Sequence, residues 1–284
     1  MDWYILAIFA VVSYGIQNFL FKVSAEKKCN SAWTLLSFQG TVAVISTVLF
    51  LVFALDLSNT FTLLLWAIIN STTFFAAMLS RIESLKHIPT NVAYPIIRMS
   101  TVFVVLFSLF FFKDNLSTYQ GAGIVLAILT VVLLTGNGAH FKANKKIKIG
   151  LILVGISLIF SVLTNIAIKF GAMLGNTLGL MCFSGIFCSI MSFGFRNKMQ
   201  NEKENPKQKN ALIIGFFIGV ANVIGFYVLL KALEVGPLSI VASINSLYYV
   251  IAVLLSAIFF KEKMTLKRIL ALILSIIAVV LLGM

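Results

Sequence analysis

Stretches of about twenty mostly apolar residues recur along the whole chain, and each is long enough to cross about 30 Å of hydrocarbon as a helix. No other feature restricts the fold so tightly. Inside lipid every backbone N–H and C=O must find its partner within the protein, which favours helices closed on their own hydrogen bonds. Composition points the same way. The 284 residues are 60% hydrophobic and 11% charged, with a mean hydropathy of +1.05. A soluble domain with that balance would lack polar cover for its surface.

Hydropathy places ten helices at 2–22, 32–54, 62–80, 90–112, 118–138, 148–170, 177–196, 211–231, 238–260 and 267–284. The expected fold is all-α, a polytopic membrane protein without a separate soluble domain. The connections are short and carry turn or charge signals, such as His87-Ile88-Pro89 and Lys113-Asp114-Asn115. The longest, from Arg196 to Asn210, reads as a solvated linker. Met1-Asp2-Trp3 offers no basic segment of the signal-peptide kind, so no cleaved leader is expected.

The net charge of +13 does not point to nucleic acid, because the basic residues sit in short loops between apolar spans. Of the 22 lysines and arginines, eighteen fall on one face of the ten-helix arrangement. The other face receives Lys113, Lys169 and Lys231, and Arg98 lies within a span. Positive charge marks the cytoplasmic side, so the loops 1–2, 3–4, 5–6, 7–8 and 9–10 are expected there and both termini outside. Cys29, Cys182 and Cys188 show no metal spacing, and neither a metal nor a cofactor is expected.

The chain also repeats itself at a period of about 148 residues. Phe111-Phe112-Lys113-Asp114-Asn115-Leu116-Ser117 lines up with Phe259-Phe260-Lys261-Glu262-Lys263-Met264-Thr265, and Pro89 with Pro237. Val131-Val132-Leu133-Leu134 lines up with Val279-Val280-Leu281-Leu282. One residue out of that register, Asn18-Phe19-Leu20-Phe21-Lys22 matches Asn165-Ile166-Ala167-Ile168-Lys169. Two units, 1–138 and 148–284, follow. Five helices is an odd number, so the second unit enters the membrane from the opposite side. Equivalent loops accordingly carry opposite charge bias: Lys27 and Lys28 in one unit stand against uncharged Gly171 to Asn176 in the other.

Tyr14-Gly15-Ile16-Gln17-Asn18-Phe19-Leu20-Phe21-Lys22 is similar to the W-G-x-x-F-x-x-x-K opening of the drug/metabolite transporter superfamily, in particular its ten-helix EamA-type members. Phe260-Lys261-Glu262-Lys263-Met264-Thr265 is similar to their G-E-x-x-[ST] element, and Gln120-Gly121-Ala122-Gly123 to their Q-x-x-G helix. Tyr14 stands where the family has Trp, Lys261 where it has Gly, and Ala271 where the second repeat has Gly. The resemblance covers nearly the full chain. It implies alternating access of metabolites through a cavity between two inverted repeats, with export favoured, and it leaves the substrate open.

Ionisable or amide-bearing residues at membrane depth are the candidate binding groups. Arg98, one turn after Pro95, could clamp a carboxylate or phosphate, or could bond backbone carbonyls beside the proline. Tyr14, Asn18 and Lys22 form an i, i+4, i+8 stripe, matched by Ser161, Asn165 and Lys169. The two lysines fit either substrate binding or snorkelling to the interface, and the asparagines either binding or interhelical bonding. Asn70, Asn222, Tyr227, Asn245, Tyr248 and Tyr249 complete the set, with Asn245 in register with Ile97. No Asp or Glu lies deep in a span, which weakens proton-coupled export of hydrophobic cations. No catalytic residue is expected, and no P-loop is present.

These features predict a secondary active transporter of a small polar metabolite such as an amino acid or organic anion, in the cell (inner) membrane. The alternatives are a flippase for a lipid-linked headgroup or lipid carrier, and an integral-membrane lipid-modifying enzyme. The partners expected are the metabolite and the bilayer. A monomer carries a complete pathway, with dimerisation left open.

Overall fold

In the computed structural model, residues 2–53, 59–84, 87, 96–97, 99–135, 145–199, 208–261 and 266–284 are described. Among them the chain is helical throughout and forms no strand. The helices are α1 (Trp3–Glu26), α2 (Ser31–Phe53), α3 (Thr60–Ser84), α4 (Ser100–Phe107, continued as a π-helical turn over Ser108–Phe112) and α5 (Thr118–Thr135). The second half follows with α6 (Lys145–Ala172), α7 (Thr177–Gly194), α8 (Gln208–Val235), α9 in two pieces (Leu238–Ser246 and Tyr248–Phe260) and α10 (Leu266–Leu282). A single turn, Arg196–Met199, follows α7. Seven spans are long and apolar enough to cross a membrane, joined among the described residues by the shorter apolar helices Ser100–Phe112, Thr118–Thr130 and Ile269–Leu282. The protein is a polytopic all-α membrane protein.

Several helices run past their hydropathic limits. α1 reaches Glu26 rather than residue 22, α3 spans 60–84 rather than 62–80, and α8 spans 208–235 rather than 211–231. Apolar length measures the hydrocarbon crossed, whereas the backbone ladder continues into the polar interface until a cap ends it. Asp2 supplies one such cap, its Oδ1 accepting from the Tyr4 N–H at 3.3 Å. The fourth span is described from Ser100; the earlier part of the expected 90–112 helix, with Pro95 and Arg98, lies largely outside the described residues.

The ninth span is not the continuous 238–260 helix that hydropathy predicts. It breaks at Leu247, whose N–H turns to the Ile244 carbonyl at 3.0 Å. Ser243 donates to the Ser239 carbonyl and Ser246 to the Ser243 carbonyl, both at 2.7 Å. Hydroxyls that compete for helix carbonyls bend and loosen the ladder, and hydropathy does not register that competition.

The helices pair across the two halves of the chain. α1 packs on α8 and α3 on α6; α2 packs on α8 and α3 on α7; α1 packs on the second piece of α9 and α4 on α6. Each of these pairings becomes the other when every helix number is shifted by five. α2 with α7, α5 with α10 and α4 with α9 map onto themselves. Close approach depends on small residues. A Cβ on Gly215 of α8 would lie 2.5 Å from the Thr34 carbonyl oxygen of α2.

The sequence repeat reappears as matched local geometry. Lys113 and Lys261, 148 residues apart, end α4 and α9 in the left-handed region at φ +54° and +51°. The Lys169 ammonium lies 5.8 Å from the Phe112 ring centroid, and the Lys22 ammonium 5.5 Å from that of Phe260. Outside, the bundle is apolar: Phe61 and Phe110 are each 82% exposed, as lipid-facing groups are. Inside, polar side chains collect. They lie among a larger set of buried apolar side chains and line a cavity.

Candidate functional site: a polar cavity between the two halves

Six of the candidate side chains meet in one cavity of about 300 Å³, at the lower end of the range for small-molecule sites. Asn18 comes from α1, Asn70 from α3, Asn165 from α6, Asn222 from α8, and Asn245 and Tyr248 from the two pieces of α9. Both halves of the chain therefore build the wall. Lys22, Lys169, Tyr227 and Tyr249 are not among the lining residues. Arg98 lies outside the described residues.

The asparagines are held in two ways. Asn18 and Asn165 each donate Nδ2–H to a carbonyl of their own helix four residues back, Tyr14 and Ser161, both at 2.8 Å. The i, i+4 spacing in both stripes makes this geometry the same in α1 and α6. Asn222 and Asn70 are held across helices instead: Asn222 Nδ2 donates to Gln17 Oε1 and Asn70 Nδ2 to Ser184 Oγ, each at 3.1 Å. Tyr248 stacks on Tyr249 at 4.6 Å between ring centroids and approaches Tyr14 at 6.1 Å.

Among the described residues, three buried polar atoms of the lining side chains have no hydrogen-bond partner: Asn70 Oδ1, Asn245 Oδ1 and Arg81 Nε. A buried polar atom left unpaired costs about 1–3 kcal/mol, so these three lining residues carry hydrogen-bonding capacity that the described protein groups leave unused. Among the described residues no Asp or Glu lines the cavity. Among the described residues no group of three His, Cys, Asp or Glu is placed to hold a metal ion.

Arg81, Gln17, Gln39 and Cys188 line the cavity although sequence reasoning did not select them. Hydropathy ends the third helix at residue 80 and so counts Arg81 with the basic residues of the cytoplasmic face, whereas α3 runs on to Ser84 and holds Arg81 in its last turn. Side chains on a helix lean toward its N-terminus, so an arginine in a final turn reaches back into the membrane. That lean was the available signal. For Gln17 the signal was its place beside Asn18 in the first stripe.

Specific contacts gather next to Ile168, a cavity-lining residue of α6. Lys169, 7% exposed, donates to the carbonyls of Leu233 at 2.7 Å and Gly236 at 2.9 Å, tying the end of α6 to the turn between α8 and α9. Trp66 stacks on Phe170 at 4.8 Å, and Phe112 packs on the same ring at 5.4 Å. Asp114 Oδ2 accepts from the Ser239 N–H at 3.1 Å and from the hydroxyls of Ser239 at 2.6 Å and Ser108 at 2.5 Å, capping the first piece of α9. A carboxylate there is favoured by the positive end of the helix dipole. Arg81 stands away from these contacts, in the last turn of α3.

An all-helical bundle with an apolar exterior and a polar cavity shared by both halves defines the class, a multi-pass membrane protein with an internal cavity. The chain matches the EamA-like transporter family twice, over residues 1–136 and 148–284. It belongs to that family, and with it to the drug/metabolite transporter superfamily. One crystal structure superposes with a TM-score of 0.76 at 13% identity, covering 99% of this chain and 98% of the other, so the two share a fold. A 71-residue stretch is 28% identical to the probable 4-amino-4-deoxy-L-arabinose-phosphoundecaprenol flippase subunit ArnE of Enterobacter sp. (strain 638). That match spans 25% of this chain and 66% of the relative, just under two thirds of its length.

Proposed function

We propose that this protein is a secondary active transporter, working as an exporter of a small polar metabolite by alternating access, with residues 1–138 and 148–284 as inverted repeats. The observation that carries the reading is the polar cavity of about 300 Å³ built from both halves, with Lys169 bonded to the Leu233 and Gly236 carbonyls next to it. The exchange of interhelical pairings under a shift of five helices supports it. A pathway whose two ends are built from equivalent helices opens at one by rearranging the contacts that close the other. Lys22 over Phe260 and Lys169 over Phe112 are such equivalent contacts. No chemical step is assigned. In the proposed orientation the Lys22 end faces the cytoplasm of the inner membrane and both termini lie outside.

The test uses the purified full chain in proteoliposomes loaded with a panel of unlabelled amino acids and organic acids. Labelled solute added outside should enter by saturable counterflow, faster than in empty liposomes. A carboxy-terminal reporter active only outside the cytoplasm should be active in cells. Absence of counterflow for every soluble solute, with movement of a lipid-linked sugar phosphate between leaflets, would replace this reading with the flippase. The stretch shared with the flippase subunit favours that second reading.

A further inference from the structure

We propose that Arg81 is the anion-docking group of this cavity, receiving the oxyanion of the ligand, a carboxylate or phosphate, before its hydrogen-bond donors reach Asn70 and Asn245. The inference rests on the transport reading for its biological direction and on the cavity alone for its chemistry.

Arg81 lines the cavity with its Nε buried and unpaired, and among the described residues no carboxylate forms an ion pair with it. The repeat supplies an internal control. The residue 148 positions on is Leu229, which also lines the cavity. An apolar side chain thus fills the equivalent place in the other half, and packing alone does not call for a guanidinium. A guanidinium is always charged and offers a planar fork of donors matched to carboxylate or phosphate. With no acidic residue among the described lining groups, the field at this end favours anions over cations.

The unpaired Asn70 Oδ1 and Asn245 Oδ1 accept hydrogen bonds, so the deeper part of the cavity calls for N–H or O–H donors. Arg81 and Asn70 stand eleven residues apart on α3, about 16 Å of axis at 1.5 Å per residue. The arginine side chain leans back along the helix and shortens that span, so both residues reach one cavity. On this proposal, capture at Arg81 and accommodation among the carboxamides are two stations along one path, the first selecting charge and the second selecting donors.

The test compares wild type with Arg81→Gln and with Arg81→Leu, the latter copying the residue already tolerated at position 229. Thermal stability of the purified protein is followed with leucine against leucinamide, which lacks the carboxylate, and with glycerol 3-phosphate against glycerol. Nanodiscs with phosphatidic acid are compared with nanodiscs of phosphatidylcholine alone, which separates a lipid headgroup from a free phosphate. We expect a saturable stabilisation of wild type by at least one oxyanion arm and not by its partner. Affinity for that oxyanion should fall by about tenfold or more in both variants. Arg81→Lys should recover part of it, because a point charge replaces the fork. Binding by no oxyanion, equal binding within each pair, or unchanged affinity in the variants would each overturn the proposal. Binding that depends on Arg81 without counterflow would instead overturn the transport reading and leave the anion site standing.

Discussion

Replacing Asn245 by leucine should make the protein more stable and less active at the same time. Asn245 Oδ1 is buried, in a cavity-lining residue, without a partner among the described residues, and an unpaired polar atom in that position costs about 1–3 kcal/mol. Leucine has the same branching and number of side-chain heavy atoms, can extend its extra bulk into the adjoining cavity, and removes the unpaired atom. The melting temperature should rise by about 2–4 °C per kcal/mol regained, while the rate of solute counterflow falls by about tenfold, the loss of one ligand hydrogen bond. The opposite signs are the diagnostic. If Asn245 served only the packing of α9, stability and transport would fall together, and that result would remove it from the site.

The second large effect is expected at Lys169. Its ammonium holds two carbonyls where α8 gives way to α9, Leu233 at 2.7 Å and Gly236 at 2.9 Å. Hydrogen bonds to a charged group are worth about 1.5–3 kcal/mol each. Lys169→Met removes both and should favour opening at that end by about 3 kcal/mol or more, roughly a hundredfold in population. A cysteine at position 229, in a chain whose Cys29, Cys182 and Cys188 have been replaced by alanine, reports the change. Leu229 lines the cavity on α8, four residues before the carbonyl that Lys169 holds. Labelling by a membrane-impermeant maleimide from the Lys169 side should rise at least about tenfold in Lys169→Met. Unchanged labelling in a monodisperse, helical protein would show that the two bonds do not keep this end shut.

Lys169 also shows how a stripe read from sequence divides in three dimensions. Tyr14, Asn18 and Lys22 share one helix face, as do Ser161, Asn165 and Lys169, and the tyrosine, the serine and both asparagines reach the cavity. The lysines, one turn further on, sit instead over the aromatic rings that end α9 and α4. Periodicity places side chains on a face, and the neighbouring helix decides what each meets. Asn222 and Asn70 could be read as bundle-facing for the same reason of amide cost in lipid, but their partners Gln17 and Ser184 lie 205 and 114 residues away.

The sequence by itself determined the helical class, the number of spans and the interior direction of the amide stripes, because lipid forbids unpaired backbone and makes buried polar groups costly. The 148-residue repeat announced matched features such as the left-handed turns at Lys113 and Lys261. What only the tertiary structure decided was closure and depth. The break at Leu247, the trans-capping of α9 by Asp114 and the staple at Lys169 all join residues distant in the chain or rest on hydroxyl competition that hydropathy ignores. The same holds for Arg81. Its position in the last turn of α3 counts as interfacial along the chain, but its side chain leans back into the membrane and ends on the cavity wall.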